Sequence, residues 1–398
     1  MTPRRAKLAA LLISAALAAL VAEVALRLAG VSYPNFYQPH PVRGWELRPG
    51  AEGRWTKEGD AEVEINSRGM RDREVAVPKP PRTVRVALLG DSCTEALQVP
   101  VERTFARLLE RELASCPAVA GRKVETLNFG VAGYGTIQEL LSLRQQAWPL
   151  EPDAVVLAFY SGNDVRNNSE PLDQDPTRPY VRAEHGRYGL DTSFRDTSGY
   201  RLRRSWPGRL LYAVFNHSRL LELGKQGQST VDGWIGSMRA RRREEGEALQ
   251  ELGLDNAVYW PPRDPLWQDA WGITEAMLRT MRDESAAHGK PFGVVSLTTG
   301  MQVHPDPKVR REFMKKLGVD TLLYPEERLA ALGRAEQIPT LTLAQPLARQ
   351  AEMKKIYFHG FPNTASGEGH WNEQGHAAAA PLMADWICRE LLGGPAHP

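Results

Sequence analysis

The chain has 398 residues, of which 42% are hydrophobic and 25% are charged, a globular composition sufficient for one large domain or two smaller ones. Its 50 Lys and Arg residues nearly balance its 48 Asp and Glu residues, so the charge indicates no surface for nucleic acid. Three cysteines are too few for a disulfide framework, although the sequence leaves a Cys116–Cys388 bridge open in an oxidising compartment.

Residues 1–30 have the pattern of a targeting segment. A basic stretch that ends at Lys7 precedes an uncharged run from Leu8 to Ala22, and apolar residues continue almost to residue 30. Because positive charges stay on the cytoplasmic side of apolar segments, this pattern predicts a signal anchor in the inner or plasma membrane, with the rest of the chain in the periplasm. The alternative is a signal peptide that is cleaved to release a secreted protein.

Residues 31–82 contain many prolines and the alternating segment 61–66, which together predict a small β-rich region and a proline-rich linker. From residue 83 to 393, short apolar runs alternate with helical patterns. Strands are predicted at 84–90, 124–131, 154–160, 293–298 and 340–343, and helices at 101–114, 136–147, 268–287, 325–334 and 373–391. This alternation predicts an α/β fold with three layers, α/β/α, around a mostly parallel central sheet.

Residues 165–265 interrupt the alternation and predict a helical insertion. The insertion leaves the sheet directly after the Asn163 loop, a position from which it can form a lid or a wall of a substrate site. It contains an amphipathic stretch at 209–223 and a charged helix around 237–252. Packing of 209–223 against the core is the expectation, and contact with a membrane surface is its alternative.

Polar residues follow three of the predicted strands, where the carboxyl ends of parallel strands form the crevice of an open α/β sheet. Ser92 follows the first strand, Gly133 the second and Asn163 the third. Acyl transfer needs a hydroxyl nucleophile and N–H donors that stabilise the oxyanion. The sequence therefore predicts Ser92 as the nucleophile. It predicts an oxyanion hole made of the backbone N–H groups of Ser92 and Gly133 and the side chain of Asn163.

The predicted general base is His370, which lies in the segment 368–372. His376 is interpreted as a core or capping residue, and His359 is a weaker candidate for the base. Cys93 is interpreted as a small buried thiol beside the nucleophile rather than as the nucleophile itself. The chain lacks zinc-type ligand spacing and a phosphate-binding glycine loop, so the sequence predicts neither a metal nor a cofactor.

Four blocks resemble, in the same order, those of the SGNH (GDSL) hydrolase superfamily. The blocks are Gly90-Asp91-Ser92, Asn128…Gly133, Gly162-Asn163-Asp164 and His370-Trp371-Asn372. The resemblance covers residues 84–164 and about 293–391. It implies the α/β/α fold, Ser92 as the nucleophile, His370 as the base, and Ser92, Gly133 and Asn163 as the oxyanion hole.

The acid of the triad is where the chain departs from the family pattern. Family members commonly carry an Asp three residues before the histidine, where this chain has Gly367. Some members carry the acid two residues before the histidine, and this chain has Glu368 there. Glu368 is therefore the predicted acid, and a Ser–His dyad is the alternative.

These residues predict a membrane-anchored serine esterase that acts on O-acyl esters, above all O-acetyl esters, of envelope glycans or lipids. One alternative is an O-acetyltransferase that modifies an exported polysaccharide and needs a partner protein to supply the acyl donor. The other alternative is a catalytically inactive binding or assembly subunit with the same fold. The expected partners are the ester substrate and the membrane, and no nucleic acid is expected.

Overall fold

The computed structural model describes residues 2–184, 187–228 and 255–394. The strands are β1 (Tyr37–His40), β2 (Gly44–Leu47), β3 (Glu52–Trp55), β4 (Ala61–Glu64), β5 (Thr83–Gly90), β6 (Lys123–Asn128), β7 (Ala154–Phe159), β8 (Tyr180–Glu184), β9 (Arg187–Asp191), β10 (Phe292–Ser296) and β11 (Thr340–Thr342). The helices are α1 (Pro3–Leu28), α2 (Ser92–Glu95), α3 (Phe105–Leu113), α4 (Thr136–Ser142), α5 (Glu170–Asp173), α6 (Ser198–Arg204), α7 (Trp206–His217), α8 (Pro265–Ala287), α9 (Pro307–Leu317), α10 (Tyr324–Glu336), α11 (Ala344–Lys354) and α12 (Glu373–Trp386).

The N-terminal helix α1 is long and apolar enough to cross a membrane. At 1.5 Å per residue its 26 residues extend over roughly 39 Å, and a bilayer core is about 30 Å thick. None of its residues is buried against the rest of the chain. The structure therefore contains the apolar N-terminal helix that the sequence predicts.

A five-stranded parallel sheet forms the centre of the fold, in the order β11-β10-β7-β5-β6. Numbered by sequence within this sheet, the order is 2-1-3-4-5, which is the flavodoxin-like arrangement. The five strands lie within a few residues of the predicted positions. Helices α9 and α11, by contrast, were not predicted from the sequence.

Each face of the sheet is covered by helices. Ala87 and Leu89 of β5 point to one face, where α4 and α8 pack. Val86 and Leu88 point to the other face, where α3 and α12 pack. Because both faces are buried, β7 is apolar along its whole length and β5 is apolar from Val86 to Leu89. The three-layer α/β/α prediction is confirmed.

The region 31–82 folds into two antiparallel hairpins, β1–β2 and β3–β4. It has its own apolar cluster, in which Phe36 and Val63 join Leu97 and Val131 of the loops that follow β5 and β6. Arg71 is buried and donates hydrogen bonds to the carbonyls of the loop after α2. The β-rich region therefore packs on the loops at the carboxyl edge of the sheet, where the predicted site residues lie.

The insertion is only partly helical. Its described residues include α5, α6 and α7, but also the antiparallel hairpin β8–β9. The predicted charged helix at 237–252 lies outside the described residues. Cys116 and Cys388 are joined in a disulfide, the pairing that the sequence left open, and Cys93 is a free, buried cysteine.

Candidate active site

The topology of the sheet brings two of the predicted site residues together. The chain passes from β5 to one side of the sheet and from β7 to the other, so a crevice opens between the carboxyl ends of these two strands. Ser92 lies two residues beyond the end of β5, and Asn163 lies four residues beyond the end of β7. Both residues line a cavity of about 360 Å³ at this edge.

Ser92 is the first residue of α2 and is placed by a tight turn. A Cβ on Gly90 would lie 2.2 Å from Thr94 Oγ1, so the close approach of strand and helix requires glycine there. The carboxyl of Asp91 caps the helix by accepting the Cys93 N–H at 2.9 Å. Because the first N–H groups of a helix have no partner within it, the N–H of Ser92 remains available as a donor.

His370 faces the hydroxyl of Ser92, with 2.8 Å between His370 Nε2 and Ser92 Oγ. The loop that carries His370 is held by His359, whose Nδ1 lies 2.7 Å from the Gly369 carbonyl. Burial lowers the pKa of His359 to about 4, so this ring is neutral near pH 7. The structure therefore pairs Ser92 with His370 and gives His359 a supporting place in the loop.

His376 lies in the core, in helix α12. Its ring is buried, its Nδ1 accepts the Phe105 N–H at 3.2 Å, and burial lowers its pKa to about 3. This is the core or capping place that the sequence predicts. Burial likewise raises the pKa of the Cys93 thiol well above its usual range, which agrees with an inert core thiol.

The acid that contacts His370 is Glu58, which the sequence analysis missed. Glu58 Oε2 lies 2.5 Å from His370 Nδ1, and Glu58 Oε1 accepts the His370 backbone N–H at 2.7 Å. Glu368, the predicted acid, is exposed and makes no contact with His370. The structure therefore places Glu58, which comes from the turn between β3 and β4, and not Glu368 beside the His370 ring.

Two local features let Glu58 reach across from the N-terminal region. Gly369 has a φ of +74°, and a Cβ on it would lie 2.1 Å from Glu58 Oε1, so only glycine leaves room for the carboxylate. Asn363, from the loop before His370, donates Nδ2 to the carbonyls of Thr56 and Gly59 at 3.0 Å and accepts the Gly59 N–H at 3.0 Å. Asn363 thereby fixes the turn that carries Glu58.

Glu58 and the protonated form of His370 stabilise each other's charge. Burial disfavours the charged form of both groups. Even so, the hydrogen bond with His370 lowers the pKa of Glu58, and the same bond and the charge of Glu58 raise the pKa of His370. Glu58 therefore stays ionised and stabilises the imidazolium that would form when His370 takes a proton.

The peptide between Ala132 and Gly133 is oriented by Trp45 of β2. The Trp45 Nε1–H donates to the Ala132 carbonyl at 3.0 Å, and Asn167 Nδ2 donates to the Gly133 carbonyl at 3.1 Å. In a trans peptide the N–H points opposite to the carbonyl, so fixing the Ala132 carbonyl also fixes the direction of the Gly133 N–H. Gly133 itself has a φ of +76° and lines the cavity with Ser92.

For the ester hydrolysis at Ser92 that the sequence predicts, we expect Trp45→Phe to lower kcat about 3- to 10-fold, because it removes one hydrogen bond that orients the Gly133 peptide. Phenylalanine keeps an aromatic ring beside Arg178, whose guanidinium lies 5.1 Å from the ring of Trp45. The matched control is Trp55→Phe, because the Nε1 of Trp55 has no hydrogen-bond partner among the described residues. Equal kcat values for the two variants in a steady-state assay would contradict this role.

Asn163 is the third predicted donor. It shares the cavity with Ser92, and its side chain interacts with the carboxyl of Asp91. Burial raises the pKa of Asp91, while the Cys93 N–H, His370 and Asn163 each lower it. An amide NH₂ carries two hydrogens, so Asn163 can contact Asp91 and still present a donor to a substrate oxygen.

The insertion forms a polar wall of the same cavity. Arg166, Asn167, Asp173 and Arg178 line it together with Ser92 and His370. Arg178 is buried and is paired with Asp173 at 2.7 Å. The prediction that residues after 165 can form a substrate wall agrees with this placement.

No family model and no curated protein matches the sequence. Solved structures to which the chain is similar include a lipase/acylhydrolase from Enterococcus faecalis, with 15% identity, 77% of this chain and 97% of that chain covered, and a TM-score of 0.35. A catalytic mutant of an acetylxylan esterase from Geobacillus stearothermophilus has 10% identity, with 79% of this chain and 97% of that chain covered, and a TM-score of 0.37. A GDSL-like lipase from Bacteroides thetaiotaomicron has 14% identity, with 80% of this chain and 93% of that chain covered, and a TM-score of 0.33.

Proposed function

We propose that this chain, which has the α/β/α fold of the SGNH hydrolases, is a serine esterase that cleaves carboxylic esters. One observation carries the proposal: Ser92 Oγ, His370 and the Glu58 carboxylate form a continuous hydrogen-bonded series with distances of 2.8 and 2.5 Å. A nucleophile within reach of a base, which is itself oriented by an acid, is the arrangement that activates a serine.

The geometry suggests the following steps. His370 Nε2 takes the proton of Ser92 Oγ as the oxygen attacks the ester carbonyl, and Glu58 stabilises the resulting imidazolium. The negative charge on the carbonyl oxygen is held by the N–H groups of Ser92 and Gly133 and by the Asn163 amide. His370 then gives its proton to the departing alcohol, which leaves an acyl group on Ser92. Water, deprotonated by His370, releases the acid.

We further propose that the enzyme works outside the cytoplasm, where O-acyl groups of envelope glycans or lipids are its substrates. The basic residues before the apolar part of α1 favour this orientation. The Cys116–Cys388 disulfide supports it, because disulfides persist in oxidising compartments. Transfer of the acyl group to a sugar hydroxyl instead of water would use the same Ser92 intermediate.

The test is labelling of the full-length protein with a fluorophosphonate probe, followed by peptide mass spectrometry. We expect the label on Ser92 and none on a Ser92→Ala protein. Absence of label from a folded protein would overturn the esterase proposal in favour of a binding or assembly role. A second assay then distinguishes hydrolysis from transfer. Hydrolysis releases acetate from acetylated glycan into water, whereas transfer adds acetyl groups to an added acceptor.

A further inference from the structure

Helix α7 exposes a row of apolar side chains to solvent, together with Arg209 and His217, and directs Tyr212 and Asn216 to the protein. Among the described residues, Trp206 is 73% exposed, and Leu210 and Val214, one and two turns further along, are 58% and 48% exposed. On the opposite side, Asn216 is buried and the Tyr212 hydroxyl donates to the Tyr37 carbonyl. An ordinary surface helix has the reverse arrangement, with its apolar stripe against the core.

The end of α7 is attached to the outer end of α1. Glu23 Oε1 accepts the backbone N–H of Arg219 at 3.0 Å, and Glu23 Oε2 accepts the Ser218 hydroxyl at 3.0 Å. Arg27 donates to the carbonyl of His217, the last residue of α7. Glu23 and Arg27 lie beyond the uncharged run of α1, where a spanning helix reaches the headgroup region. With α1 across a bilayer, these contacts would hold the end of α7 at the level of the membrane surface.

The sequence of α7 and its neighbourhood is basic, and the outermost arginines pair with the acidic residues that flank it, Arg201 with Asp196 and Arg219 with Glu222, both at 2.9 Å. Between Asp196 and Glu222 the chain has no acidic residue. The same stretch contains five arginines, at 201, 203, 204, 209 and 219. Basic residues that border an apolar helix face are typical of helices that lie in the interface of an anionic bilayer.

We propose that α7 lies in the outer interface of an anionic lipid bilayer, next to the point where α1 leaves that bilayer. Its apolar face enters the boundary between headgroups and acyl chains, and the neighbouring arginines contact anionic headgroups. The active-site domain is then held against the membrane by two contacts, α1 and α7, which restricts its orientation. This inference is independent of the proposed esterase activity.

The test uses the full-length protein in vesicles, with a nitrobenzoxadiazole probe on Val214→Cys. The matched control is Met353→Cys, because Met353 is an apolar residue of α11 that is 75% exposed. In phosphatidylcholine–phosphatidylglycerol vesicles we expect nitroxide-labelled lipids to quench the probe at 214 several-fold more strongly than the probe at 353. Pure phosphatidylcholine, or replacement of Arg201, Arg203, Arg204 and Arg209 by Gln, is expected to weaken that quenching.

Three results would overturn the proposal. The first is equal lipid quenching at 214 and 353 together with equal quenching by iodide in water. The second is a probe at 214 that is shielded from iodide but not quenched by lipids, which would mean that protein covers the helix. The third is shielding that disappears as the protein-to-lipid ratio falls, which would mean that a second copy of this chain covers it. Circular dichroism of each variant verifies that the chain is folded.

Discussion

Glu58→Gln is expected to lower kcat for ester hydrolysis about 10⁴-fold, with little change in KM. The carboxylate accepts the Nδ1–H of His370 at 2.5 Å and thereby leaves Nε2 free to take the proton of Ser92. An amide at position 58 can donate its own N–H to Nδ1 and so favour the tautomer that carries the proton on Nε2. In that tautomer His370 cannot act as a base. Steady-state kinetics with an activated ester measures the loss.

Glu368→Gln is the matched control, because Glu368 has the same side chain and lies two residues before His370. It is exposed and does not contact the histidine ring, so its kcat should remain within about twofold of the unmodified enzyme, the range of a surface substitution. The reverse outcome, in which Glu368→Gln loses activity and Glu58→Gln keeps it, would restore the acid that the family pattern suggests.

A pH profile separates the positioning role of Glu58 from a purely structural one. Burial works against the imidazolium of His370, but the hydrogen bond and charge of Glu58 outweigh it and raise the pKa of His370. Catalysis needs the neutral ring, so activity falls as the pH drops through this pKa. Removing the charge of Glu58 should lower the pKa of His370. The acidic limb of the pH profile of kcat/KM should then move to lower pH. A limb that stays in place would show that Glu58 does not act on His370.

Much of the fold follows from local sequence signals. A parallel sheet that is covered on both faces requires strands that are apolar on both sides, and β7 and the second half of β5 are such runs. Each ends in a polar turn, so the positions of Ser92 and Asn163 at the carboxyl edge could be predicted with the strands. Helix α9 was missed because its sequence is mostly charged and Phe313 is its one buried residue. Its start signals, Asp306 as N-cap and then Pro307, are present.

Glu58 could not be found in this way, because its role depends on contacts between distant parts of the chain. It lies 312 residues before His370, in a Lys-Glu-Gly-Asp turn that has the composition of any exposed hairpin turn. The one local hint is Gly369, next to the base, where a side chain would collide with the carboxylate. From the sequence alone, Gly369 is explained equally well as a turn residue. Only the folded structure shows that residues 58 and 369 lie together. Trp45 was missed for the same reason.

Asn163→Ala is expected to lower kcat about 10²- to 10³-fold, the loss typical for one oxyanion-hole donor. KM should change little, because the donor is directed at charge that develops in the transition state and not at the neutral carbonyl. Steady-state kinetics on the same ester gives both constants. A raised KM with unchanged kcat would instead assign Asn163 to ground-state binding, and an unchanged enzyme would remove it from the oxyanion hole.

Combining Asn163→Ala with Trp45→Phe tests whether the two residues serve the same oxygen by separate routes. Asn163 offers its own amide, whereas Trp45 acts only through the direction of the Gly133 N–H. If the two donors are independent, the losses of the single variants multiply in the double variant, since free energies of independent sites add. A double variant that is no slower than Asn163→Ala would mean that the Gly133 N–H is effective only when Asn163 already holds the oxygen, and the oxyanion hole would then act as a single unit.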